Sequence, residues 1–80
     1  MDLDLQRRFG QLVRRRREAI GLSQEALADQ AGLHRTYVSL LERGHRNPSL
    51  AVVCALASAL GTGMADLVRE LDAPKREARR

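Results

Sequence analysis

The chain has 80 residues, 30% of them charged, with 14 Lys plus Arg against 10 Asp plus Glu and a net charge of +4. That length supports one domain with a modest core and leaves no room for an enclosed catalytic cleft with a lid. The cationic excess is carried almost entirely by arginine, with Lys75 the only lysine. It suits a polyanionic partner, because the guanidinium fork matches phosphate and guanine geometry. Cys54 is the only cysteine, which excludes an internal disulfide and fits a reducing compartment. No apolar run reaches membrane-spanning length, and the acidic start Met1-Asp2-Leu3-Asp4-Leu5 is unlike a signal peptide, so a cytoplasmic location without a membrane partner is expected.

Leu5, Phe9, Leu12, Val13 and Ile20 fall on one stripe, predicting a first helix from about Leu3 to Ile20. Gly21 supplies the left-handed position after it, and Leu22 folds back on the last turn. Ser23 is a good N-cap for the second helix, and Glu25 suits its dipole, although Ala26 denies it a full capping box. That helix ends at Ala31, Gly32 makes the turn, and Leu33 plugs the corner. Ala28 is expected where the second and third helices approach most closely. The third helix runs from about Arg35 to Glu42 and is closed by Gly44.

Asn47-Pro48-Ser49 reads as a turn followed by an N-cap. The fourth helix, from about Leu50 to Leu60, turns Leu50, Val53, Leu56, Ala57 and Leu60 inward. After Gly61-Thr62-Gly63, a fifth helix from about Met64 to Leu71 buries Met64, Leu67, Val68 and Leu71, and Pro74 ends it. The domain therefore spans residues 1–72, with 73–80 expected to be a charged, disordered tail. No strand pattern appears, so the fold class is all-α: five short helices around one core.

Two short helices hinged at Gly32, the second opening with side chains able to reach base edges, are the footprint of a helix-turn-helix DNA reader. At about 100° per residue, Arg35, Thr36, Ser39 and Leu40 share one face while Val38 and Leu41 point the other way. Arg35 suits guanine O6 and N7, Thr36 a base edge or thymine methyl, and Leu40 a methyl group. The plainer reading of that face is a solvated surface with a stray leucine. Gln24 opens the second helix, where its amide and the free backbone N–H groups meet a phosphate; otherwise it is an exposed residue of good helix propensity. Arg14, Arg15 and Arg16 read as a solvated or phosphate-facing patch.

Enzymatic chemistry finds no inventory. His34, His45 and Cys54 lack metal-type spacing, no Gly-rich phosphate loop or nucleophile elbow is present, and the carboxylates are scattered. No cofactor, metal or small-molecule ligand is expected.

Arg17 followed by Gly21-Leu22-Ser23-Gln24-Glu25, Leu27-Ala28, Ala31-Gly32-Leu33 and Tyr37-Val38-Ser39 forms a coupled pattern. Glu42-Arg43-Gly44, Arg46-Asn47-Pro48-Ser49-Leu50 and Leu56-Ala57-Ser58-Ala59-Leu60-Gly61 extend it. Together these residues resemble the Cro/C1-type (XRE) helix-turn-helix family over roughly residues 8 to 71. Arg35 to Ser39 followed by Glu42-Arg43 resembles its subgroup of restriction–modification controller proteins. The resemblance implies a five-helix, lambda-repressor-like DNA-binding fold. It also implies a phosphate clamp of Tyr37, Arg43, Arg46 and Asn47 and a partly buried salt bridge between Arg17 and Glu42. Three positions depart from the family: Arg16 stands where an aliphatic residue is common, His34 replaces the usual N-cap of the third helix, and Thr62-Gly63 replaces a hydrophobe and a capping residue.

One short recognition helix reads too few base pairs for useful specificity. The fourth helix keeps Ala51, Val52, Cys54, Ala55 and Ala59 outside its core stripe, and the fifth adds Val68 and Leu71, an apolar excess that a solvated face does not need. A twofold dimer with Val52, Ala55, Ala59, Val68 and Leu71 at the contact would set two recognition helices about 34 Å apart. The expected function is a sequence-specific transcriptional regulator binding palindromic operator DNA as a homodimer. The alternative is an antitoxin or adaptor whose helical surface mainly binds a protein.

Overall fold

Helix ends in this chain are set by serine hydroxyls and left-handed glycines. The computed structural model describes residues 3–72, so Met1, Asp2 and the tail expected at 73–80 lie outside the described residues. It contains α1 (Leu3–Ala19), α2 (Gln24–Ala31), α3 (Arg35–Glu42), α4 (Leu50–Ala59) and α5 (Met64–Asp72), with no strand among the described residues. Ser23 Oγ accepts from the Ala26 amide at 3.0 Å and Ser49 Oγ from the Val52 amide at 3.2 Å, each satisfying one N–H that the first helical turn leaves without a partner. Between α2 and α3, Gly32 adopts φ +71°, which a residue with a Cβ takes only at a cost. Its amide donates to Asp29 O at 3.3 Å and the Leu33 amide to Ala28 O at 2.8 Å. This paired closure reverses the chain in two residues, and α1, α3 and α4 end with the same pair of bonds.

The two departures at helix starts have visible consequences. His34, at the N-cap of α3, makes no side-chain cap bond. At α5 the Gly63 carbonyl accepts from the Leu67 amide at 3.1 Å, so the helix begins at Met64 from a position with no side chain to cap it.

Phe9, Leu12 and Val13 of α1 meet Leu27 and Ala28 of α2, Val38 and Leu41 of α3, Leu56, Ala57 and Leu60 at α4, and Leu67 of α5 in one buried cluster. Leu22, Leu33 and Tyr37 pack against its edge. Leu67 is the only buried residue of α5, so truncating it to alanine should cost about 2–5 kcal/mol and release that helix first.

Helical periodicity assigns Leu5, Ile20, Leu50 and Val68 to this core, and the structure corrects all four. They are 41%, 51%, 77% and 43% exposed. The stripe is continuous, but the surfaces that cover it are not. α1 has 17 residues and α3 only 8, so the ends of α1 extend past the element that packs on it. Ile20 lies in the turn after α1, and Leu50 is the first residue of α4. Met64, Leu71 and Val53 are half-buried at the margin of the core.

α1 and α3 cross closely. A Cβ built at Gly10 would collide with Leu41 O and lie 2.7 Å from Glu42 O, so the two backbones meet with no side chain between them. Gly10 thereby sets how far α3 stands from the rest of the molecule. No single helix among the described residues is long and apolar enough to cross a membrane.

Candidate nucleic-acid interface

Burial of Val38 and Leu41, at 0% and 1% exposure, fixes the rotation of α3 about its axis. The opposite face then follows from the 3.6-residue period: Arg35 and Thr36 are exposed, and Ser39 and Leu40 are half-buried beside them. The structure thus brings the four base-facing candidates onto one side of a helix held firmly from behind. Tyr37 is half-buried and packs against the core cluster, so only part of its side chain reaches solvent.

Behind α3 lies a buried ionic network. Arg17 Nε donates to Glu42 Oε2 at 2.7 Å, and its Nη2 donates to Oε1 at 3.0 Å, a bidentate pair. A third donor of the same guanidinium, Nη1, reaches Leu22 O at 2.8 Å. Side-chain exposures of 11% for Arg17 and 2% for Glu42 remove the pair from most solvent screening. The hydrogen bond to Glu42 raises the Arg17 pKa above its ordinary value, against the lowering effect of burial. The role is architectural: one ion pair holds α1, the α1–α2 turn and the end of α3 together.

Gln24 joins this network. Its Nε2 donates to Glu42 Oε1 at 3.0 Å, which fixes the side chain at the entrance to α2. Its carbonyl oxygen and second amide hydrogen remain for other partners. The helix geometry also leaves the first-turn amides of α2 without intrahelical acceptors, an arrangement suited to an anion.

Arg43, Arg46 and Asn47 are exposed on the turn after α3. Arg43 folds back so that Nε donates to Ser39 O at 3.4 Å, where its charge also meets the helix C-terminal dipole. Arg46 Nη1 donates to His45 O at 3.0 Å.

Six described arginines share five carboxylates in ion pairs. Arg8 pairs with Asp4, Arg14 and Arg17 with Glu18, Arg15 and Arg16 with Glu70, Arg17 also with Glu42, and Arg69 with Asp66. Arg14 and Arg15 stay exposed, as a solvated patch would be, but all three arginines of the run carry ion pairs, Arg14 with Glu18 and Arg15 and Arg16 with Glu70. Arg16 in particular places Nη2 at 2.8 Å from Glu70 and ties α1 to α5. Sequence reasoning missed this because Glu70 is 54 residues away. Among the described residues, Arg7, Arg35, Arg43 and Arg46 carry no ion pair.

The apolar interface candidates divide. Val52, Ala59 and Leu71 are partly buried against the protein's own core, and Ala55 is half-buried. Val68 is exposed. It lines an open apolar depression with Leu5, Phe9, Pro48, Leu50 and Val53. Leu50, the most exposed large hydrophobic residue described, falls on the core stripe by periodicity and yet lies at the surface.

A twin-helix reader backed by a buried ion pair and flanked by unpaired arginines defines a class, and comparison with known proteins agrees. The helix-turn-helix family profile matches residues 13–67, and the chain belongs to that family. It is 41% identical over 66 residues to the control protein C.SmaI of Serratia marcescens, covering 82% of this chain and 79% of that one. It is 48% identical over 61 residues to the control protein C.BamHI of Bacillus amyloliquefaciens, covering 75% of each. The crystal structure of the restriction-modification controller protein C.AhdI from Aeromonas hydrophila superposes with a TM-score of 0.76 at 50% identity, over 80% of this chain and 96% of that one. The protein is a DNA-binding transcription regulator of the Cro/C1 type.

Proposed function

We propose that the protein acts in the cytoplasm as a homodimer that binds a twofold-symmetric operator and controls a restriction–modification locus. Arg35 and Thr36 of each protomer read base edges in the major groove, with Ser39 and Leu40 beside them. Gln24 and the first turn of α2 hold one phosphate strand, while Tyr37, Arg43, Arg46 and Asn47 hold the other. The second protomer covers the face around Val68 and Leu50, near the half-buried Val52, Ala55, Ala59 and Leu71. The observation that carries this reading is the partition of charge: of the seven described arginines outside α3 and its following turn, six are ion-paired with carboxylates and only Arg7 is not, whereas Arg35, Arg43 and Arg46 all lack an ion pair. An unneutralised row of guanidinium groups costs self-repulsion that phosphate contact removes. The chain's match to control proteins over most of their length favours a restriction–modification role. Sedimentation of the protein with a duplex enriched from a randomised pool tests it. Two chains per duplex are expected; a saturated complex of one chain per duplex would contradict the dimer.

A further inference from the structure

Among the described residues, Arg7 is the one arginine without an ion pair that lies outside α3 and its following turn, yet the fold delivers it to that turn. A Cβ built at Gly44 would stand 3.0 Å from Arg7 Cα and 3.3 Å from both Arg7 Cβ and Cγ. The first part of α1 therefore packs on the turn that closes α3, with the Arg7 stem against Gly44, the residue after Arg43 and two before Arg46. Arg7 itself is exposed. Asp4, the described acid one turn before it, pairs with Arg8 at 3.7 Å and not with Arg7.

We propose that Arg7 is a further phosphate-contacting residue, extending the DNA-facing surface from α3 and the 43–47 turn onto α1. This rests on the operator-binding reading above. The four described arginines without an ion pair then form one system: Arg35 enters the groove, Arg43 and Arg46 flank its exit, and Arg7 lies beside them on α1. Packing of the Arg7 stem against Gly44 orders part of a side chain that otherwise loses its rotamer freedom on binding. Contact with phosphate places no demand on base identity, so Arg7 contributes affinity and register rather than preference.

The test compares the salt dependence of operator binding in the wild type, Arg7→Gln, Arg7→Lys, Arg43→Ala and Arg14→Gln. Glutamine keeps most of the stem that packs on Gly44, and circular dichroism verifies the fold of each variant. Each lost phosphate contact removes about 0.9 from the slope of log K against log salt, so a dimer of Arg7→Gln should lose about 2. Arg7→Lys should restore most of that loss, the preferred sequence should not change, and Arg14→Gln, whose charge is already paired with Glu18, should leave the slope intact. An unchanged slope for Arg7→Gln beside a reduced slope for Arg43→Ala overturns the assignment of Arg7 and leaves the operator-binding reading standing. A shallow slope in every protein, wild type included, overturns both.

Discussion

Gln24 and Glu42, at the first residue of α2 and the last of α3, are joined by a 3.0 Å hydrogen bond to the same carboxylate oxygen that accepts from Arg17 Nη2. One buried carboxylate therefore fixes the relative positions of three helices and also orients a side chain proposed to meet DNA.

Removing Arg17 leaves a carboxylate with 2% exposed side chain short of its main partner. Arg17→Met should therefore lower stability by about 3–5 kcal/mol, read from the denaturant midpoint at constant slope. A loss below about 1 kcal/mol would class the pair with exposed ion pairs. Because the Arg17 pKa is raised, its stabilising contribution is fully present below the ordinary arginine value and is lost only as pH rises through the higher folded value. Stability should show no step from Arg17 across neutral and mildly alkaline pH.

Gly10→Ala should destabilise the protein although alanine favours an open helix by about 1 kcal/mol. The added methyl meets two backbone carbonyls, Leu41 O and, at 2.7 Å, Glu42 O, which have no rotamer to change. A net loss of about 1–3 kcal/mol is expected from calorimetry. A higher melting temperature would show that α1 and α3 stand farther apart.

What the sequence discloses and what it hides follow from range. Ser23 and Ser49 as caps and Gly32 as the turn depend on neighbours within a few positions, and each is visible in the chain. The face of α3 bearing Arg35 and Thr36 was equally legible, because Val38 and Leu41 mark its back. Gly10 carried no such sign, since its reason is the approach of another helix. The pairing of Arg15 and Arg16 leaves no sign in the run 14–16, because Glu70, their partner, is on α5. Leu50 and Ile20 were misplaced because a hydrophobic stripe reveals which side faces inward and not where the covering surface stops.

Leu50→Glu and Val68→Glu change exposed positions and should give folded monomers with sharply weakened operator binding. Val52→Glu, at a half-buried position packed against the core, should instead unfold the protein at lower denaturant. Sedimentation beside denaturation separates the two effects. Leu50→Glu and Val68→Glu proteins that remain dimeric would move the interface elsewhere.

If α3 reads bases, the enriched duplexes should depend on its first residues. Selection from a randomised pool with the wild type and with Arg35→Ala is the most direct measurement. The wild type should enrich a twofold-symmetric site. Arg35→Ala should lose about 1–3 kcal/mol of affinity and relax preference at one position in each half-site. Arg43→Ala should weaken all sequences alike. An Arg35→Ala profile identical to that of the wild type would contradict the placement of α3 in the groove.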